Sequence, residues 1–300
     1  MPLAWLLLLA FLAPLSAGAR ELSFSFDDCP RKAGPVLSPA ERTNKLAGHL
    51  KIAGVKAVFF CNSPRREPGG EARIRFYADR GHLIANHTAQ HPDLYKISPE
   101  AFNAQIDQAD AELKNIPNFV RWFRFPFLHE GKDAQDVEAV RAHLKKRGYL
   151  NGYVTIDTQD WYVDDVLLQE TKRGKRFHEA RLCQAYASMM TDDAEFFDQM
   201  SVAALGRSVK HVILLHETDL NALCLGALIG KFKQDGWGIL DPETAYSDPI
   251  AKQEPLSSTK LNQGRVFALA KEAGYAGPYY APFNEEKAIE QELRRFKVWK

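Results

Sequence analysis

Short apolar runs along the chain alternate with longer stretches in which apolar positions recur every three or four residues. That alternation predicts strands and helices in turn. Strands are expected at residues 22–26, 56–61, 82–86, 122–125, 152–156 and 209–215. Helices are expected at 38–52, 71–80, 98–115, 134–147, 177–200 and 220–233. Pro99 suits the first position of its helix, and Gly54, Gly81 and Gly148 follow as stops. Residues 285–300 carry Ala288, Ile289, Leu293 and Phe296 among charges, which predicts a terminal helix packed by one face. No internal repeat and no Pro/Gly-rich linker interrupts the order. Repeated βα units imply an α/β fold with a parallel sheet, expected as one domain over residues 20–300.

The first 19 residues break the pattern. They are uncharged, with an apolar core at 6–9 and 11–12 that is short for a membrane span. Ala17-Gly18-Ala19 has the small-x-small form of a cleavage site, so residues 1–19 are expected to be a signal peptide cut after Ala19. The mature protein is then exported, to the periplasm or beyond, with no stable membrane insertion. Lys+Arg total 39 and Asp+Glu 38, for a net charge of +1, which argues against nucleic acid as a partner. The four cysteines contain no CxxC pair. Export permits disulfides, and Cys29 and Cys61 follow strands that would lie side by side. Either a Cys29–Cys61 disulfide or two buried thiols fits that placement.

Chemically capable residues follow nearly every expected strand. Asp27 and Asp28 follow Phe26; His87 and His91 follow Asn86. Arg124 and Pro126 close the next strand, Asp157, Asp160 and Trp161 follow Ile156, and His216 follows Leu215. Parallel sheets collect functional residues at these carboxyl ends. Asp28, His87 and His91 supply two imidazoles and a carboxylate, a donor set that suits a borderline divalent ion and leaves positions open. Pro92 disfavours helix at His91, so the pair is expected in a turn. His49, His82, His129, His143, His178 and His211 are set aside as structural. No HExxH zinc motif and no GxSxG nucleophile elbow is present.

Five motifs in order over residues 22–216 resemble the polysaccharide deacetylases, the NodB-homology domain of carbohydrate esterase family four. The first is Phe24-Ser25-Phe26-Asp27-Asp28-Cys29-Pro30, with Cys29 where the family has Gly. The second, His87-Thr88-Ala89-Gln90-His91-Pro92, is the most specific. The others are Arg124-Phe125-Pro126-Phe127, Asp157-Thr158-Gln159-Asp160-Trp161 and Ile213-Leu214-Leu215-His216.

The resemblance implies a distorted (β/α) barrel with parallel strands and a site at its open face. It implies one divalent metal on Asp28, His87 and His91, with zinc expected and cobalt or another divalent ion as alternatives. Asp27 would be the general base, oriented by Arg124, and Asp160 would pair with Arg124, with Asp157 as a competitor for that place. His216 would be the general acid. Trp161 and Leu214 would shape a pocket for the acetyl methyl, and the Phe127 backbone N–H would hold the oxyanion. The implied partner is a carbohydrate polymer or oligosaccharide whose N-acetyl groups are removed. Removal of O-acetyl groups, sugar binding without turnover, and a two-His-one-carboxylate iron oxygenase are the competing readings. Lys172 to Arg176 reads as a solvated basic loop, and residues 237–283 as a rim over the cleft.

Overall fold

The computed structural model describes residues 18–256 and 263–300, so the expected signal segment lies outside the described residues up to residue 17. The strands are β1 (Glu21–Cys29), β2 (Ala57–Cys61), β3 (Leu83–Asn86), β4 (Phe119–Phe123), β5 (Leu150–Asn151), β6 (Lys210–His216) and β7 (Gly238–Ile239). The helices before β6 are α1 (Pro39–Ala53), α2 (Gly70–Ala78), α3 (Pro99–Leu113), α4 (Ala134–Lys146), α5 (Asp160–Lys172) and α6 (Glu179–Leu205). After it come α7 (Asp219–Gln234), α8 (Pro242–Ala245), α9 (Arg265–Glu272) and α10 (Glu286–Arg295). Among the described residues no helix is long and apolar enough to cross a membrane.

All pairings in the sheet are parallel, in the order β5-β4-β3-β2-β1-β6, with β7 added along β1. Strand β2 is apolar on both faces and every residue of it is buried, while β1 alternates Leu22, Phe24 and Phe26 with the buried polar Ser23, Ser25 and Asp27. Phe26 stacks on Phe59 and Phe59 on Tyr77, with centroids 5.0 and 4.0 Å apart, fastening α2 to the sheet. Helix α1 begins with a reciprocal cap, in which Ser38 Oγ accepts from Glu41 N and Glu41 accepts from Ser38 N.

Residues 152–156 depart from the expected strand. They cross from one edge of the sheet to the other. Gly152 N donates to Phe123 O at 2.7 Å, while Ile156 N donates to Val212 O and Leu214 N to Ile156 O. The sheet thus curls back on itself through this crossing, a barrel-like closure. Gly152 is needed there because a Cβ would overlap the Phe60 ring. Helix α5 had no counterpart in the sequence pattern, and α6 runs five residues past the expected end at 200.

The disulfide joins Cys183 on α6 to Cys224 on α7, and Cys29 and Cys61 are free and buried. The expected neighbourhood of Cys29 and Cys61 is correct, since their Cα atoms are partners across β1 and β2. Of the two readings left open for them, two buried thiols is the one found, and the Cys61 thiol donates to Phe59 O on its own strand.

Candidate active site

At the carboxyl ends of the strands lies a cleft of about 580 Å³. Its floor is set by an irregularity in β1. The β1–β2 register shifts between Asp27 and Cys29, so Asp28 bulges out with φ of +67°. A bulge breaks the two-residue alternation, which lets consecutive carboxylates both face the cleft. Cys29 sits in extended strand and needs no glycine. Thr88, His91, Phe127 and Leu128, all near the cleft, share the left-handed conformation. Backbone strain of this kind concentrates where the surrounding structure holds side chains in place for chemistry.

His91 Nε2 lies 3.3 Å from Asp28 Oδ1, and His87 Nε2 lies 3.8 Å from the same oxygen and 3.7 Å from Asp27 Oδ2. One ligand-type atom from each of Asp28, His87 and His91 falls within 4.8 Å of the others. His87 Nδ1 hydrogen-bonds Arg124 O at 2.8 Å, which fixes that nitrogen as the donor and turns the Nε2 lone pair into the cleft. Burial pushes both imidazoles down to about 4, so they are neutral at pH 7. For Asp28, burial acts upward, but His91, His216 and His87 outweigh it and hold the carboxyl well below the usual range. Asp28 Oδ1 is buried with no hydrogen-bond donor. Two neutral imidazoles and an ionised carboxylate with an orphaned oxygen fit a divalent cation.

Arg124 is buried beside this cluster. Its Nη1 donates to Asp27 Oδ1 at 2.7 Å and Ser25 Oγ at 2.8 Å, its Nε to Gly152 O, and its Nη2 to Tyr246 OH. The guanidinium lies 3.9 Å from the Phe60 ring centroid. Burial raises Asp27 to about 6, with Arg124 opposing that rise.

Asp160 does not pair with Arg124, contrary to the reading from sequence. It opens α5, fully buried, and faces the end of β6. Its Oδ1 accepts from His216 Nδ1 at 2.7 Å; its Oδ2 accepts from His216 N at 2.8 Å and Asn221 Nδ2 at 2.7 Å. The cause is placement: α5 starts after the crossing segment has already reached β6. Burial lowers the His216 imidazole, but Asp160 by charge and hydrogen bond outweighs it, raising it to about 9. Asp157 lines the cleft separately, and burial pushes its carboxyl up to about 7.

Phe127, Trp161 and Leu214 all line the cleft, and the Phe127 ring packs edge-on to His91 at 4.6 Å. The sequence reading missed Arg31, Gln263, Tyr280 and Asn284, and it set aside His129, which lines the cleft and hydrogen-bonds Asp93. No spacing signal marked these residues; the last three belong to the region anticipated as a rim or its border. Lys172 ends α5 and Arg173 to Arg176 form an exposed loop, with Arg173 and Lys175 paired to Glu170.

Residues 16–145 match the family model described as polysaccharide deacetylase. A peptidoglycan-N-acetylglucosamine deacetylase of Bacillus cereus is 28% identical over 163 residues, covering 53% of this chain and 53% of that protein. A chitooligosaccharide deacetylase of Sinorhizobium fredii is 28% identical over 200 residues, covering 64% of this chain and 85% of that one. The chain thus spans about half the length of the Bacillus cereus relative. Among solved structures, a mutant of a family 4 carbohydrate esterase pseudoenzyme aligns with a TM-score of 0.52 at 18% identity, over 76% of this chain and 68% of that one. A peptidoglycan N-acetylglucosamine deacetylase aligns at 0.51 and 21%, over 76% and 89%. At these identities the structural likeness is one of fold. Over residues 16–145 the chain is similar to the polysaccharide deacetylases, and the relatives and fold neighbours named here carry deacetylase or family 4 carbohydrate esterase descriptions.

Proposed function

We propose that residues 20–300 form one exported catalytic unit that removes N-acetyl groups from an N-acetylated sugar polymer of the peptidoglycan or chitin kind. The observation that carries this reading is the arrangement around one cleft. A cluster of Asp28, His87 and His91 is flanked by an Arg124-held Asp27 and an Asp160-held His216. Asp28, His87 and His91 would hold one divalent ion, zinc by donor type. Such an ion supplies Lewis-acid polarisation of the acetyl carbonyl and lowers the pKa of water to roughly 7.

The chain's own groups handle the protons. Asp27 takes a proton from the attacking water as its oxygen bonds to the carbonyl carbon. Arg124 orients Asp27 and opposes its protonation. The Phe127 N–H stabilises the oxyanion, a contact whose loss costs on the order of a hundredfold or more. His216 then gives its proton to the departing nitrogen as the C–N bond breaks, leaving acetate and a free amine on the sugar. Asp160 keeps His216 charged for that step. Trp161 and Leu214 exclude water around the acetyl methyl.

Acetate release by the purified protein tests the reading. Chitin oligomers, peptidoglycan and acetylated xylan are the substrates, with zinc or cobalt added and chelator controls. Chelator-sensitive release from the N-acetylated glycans is expected. Release from acetylated xylan alone would make the protein an O-acetyl esterase, and no release with one metal bound per chain would refute turnover.

A further inference from the structure

Part of the cleft wall comes from a region that the family match does not reach. Gln263, Tyr280 and Asn284 line it, all beyond residue 145. Among the described residues, the exposed large aromatic side chains are Phe127, Trp161 and Tyr280, at 53%, 44% and 47% exposure. All three border this one cleft. Large aromatic rings left in water and gathered round a single concavity point to a ligand with apolar faces.

A second observation adds a polar requirement. The Gln263 side chain is 7% exposed, and its Nε2 donates to Asn284 Oδ1 at 2.5 Å. Its Oε1 is buried without any donor. An amide oriented by one bond, with its acceptor unmatched at a cleft wall, awaits a ligand hydroxyl or N–H.

The wall is also fixed in advance. Arg265 N donates to Val154 O on the crossing segment, at 2.6 Å. Gly264 makes that approach with φ of +92°, and a Cβ there would come within 2.5 Å of Val154 O. At the other end, Phe283 N donates to Asp193 Oδ1 at 3.1 Å. A wall held at both ends gives up little freedom on binding.

We propose that Tyr280 and Gln263 form a subsite for a second sugar ring of the same glycan, beside the unit that loses its acetyl group. The Tyr280 ring takes the apolar face of the pyranose, and Gln263 Oε1 accepts from one of its hydroxyls. The protein then recognises a chain of two or more units rather than a monosaccharide. This inference rests on the glycan deacetylase reading of the cleft, and its test is a binding measurement separable from turnover.

The full chain is titrated calorimetrically with N-acetylglucosamine and its oligomers, and with xylose and acetylated xylo-oligomers. Affinity is expected to rise with length on one ladder. Tyr280→Ala should remove most of that rise, about tenfold at the trimer. Gln263→Leu should weaken trimer binding about fivefold, and Gln263→Glu, which keeps an acceptor, should restore most of it. Tyr280 is exposed, so its replacement does not endanger folding. Affinity independent of length in the wild type, or a length effect that survives both Tyr280→Ala and Gln263→Leu, overturns the subsite. Expected binding without acetate release keeps the subsite and defeats the deacetylase reading. Acetate release with length-independent binding does the reverse.

Discussion

Replacing Asp160 by Asn removes one charge from behind His216 with almost no change of shape. Asp160 accepts three hydrogen bonds, two of them from His216. The imidazole stands at about 9 against an ordinary 6.5. At 1.36 kcal/mol per unit, that is about 3 kcal/mol favouring the charged form. Asp160 is the largest contributor to the rise, and burial acts against it. Without the charge, His216 falls to 6.5 or below, so about a quarter or less remains protonated at pH 7. The amide adds a second fault. If its oxygen keeps the bonds from His216 N and Asn221, its NH₂ faces His216 Nδ1 and drives the proton to the other nitrogen. A neutral imidazole is a poor acid, so kcat at pH 7 should drop at least about fourfold, and complete loss of the acid would take it to about 10²-fold or more. The assay is kcat for acetate release against pH. In the wild type, activity should fall as pH rises through the His216 titration, an alkaline edge near 9 without a cation and lower with one bound. In Asp160→Asn the edge should move at least two units lower, with metal content unchanged. An edge left in place, or a loss under twofold, would refute the role of Asp160 in charging His216.

His87→Ala should lose bound metal and turnover together, read by metal analysis and acetate release; stoichiometric metal in the variant would end its ligand role. Asp27→Asn should keep the metal and lose turnover, and wild-type rates would remove it as the base. Arg124→Leu leaves Asp27 buried without its counter-charge, which should cost about 3–5 kcal/mol at neutral pH. Asp27 already has a raised value, so that deficit should shrink as pH falls and the carboxyl protonates; a pH-independent deficit in denaturant midpoints would instead mean lost packing. Cys183→Ser with Cys224→Ser opens a link across 41 residues. That should cost about 4 kcal/mol by the loop-entropy relation. The denatured wild type should titrate two thiols without reductant, and four would refute the bridge.

The strands and most helices were legible because the apolar periodicity changes cleanly between two and three to four residues. The metal-type cluster was legible for a related reason: parallel strands fix which end of the sheet a residue reaches, and the ends of β1 and β3 are sharply marked. Cys29 and Cys61 were correctly placed side by side on the same grounds. What failed depends on contacts between elements far apart in sequence. The Cys183–Cys224 bridge follows from α6 packing on α7, which no local pattern encodes. Gln263, Tyr280 and Asn284 reach the cleft through the backbone bond to Val154 and the Phe283–Asp193 bond.

The misplaced partner of Asp160 has a functional consequence. Had Asp160 joined Arg124, two carboxylates would share one guanidinium, and His216 would have only the smaller pull of Asp28 and Asp27 against its burial. Burial lowers an imidazole, as it does for His87 and His91 at about 4. His216 would then hold its proton less firmly and be a weaker donor to a leaving amine. The observed division gives Asp27 a cation and His216 an anion, so each of the two groups has its own counter-charge. Arg124 resists protonation of Asp27, the proposed base, while Asp160 resists deprotonation of His216, the proposed acid. The crossing segment 152–156 makes this separation structural. It carries the chain past Arg124, whose Nε it binds through Gly152 O, before α5 delivers Asp160 to the end of β6.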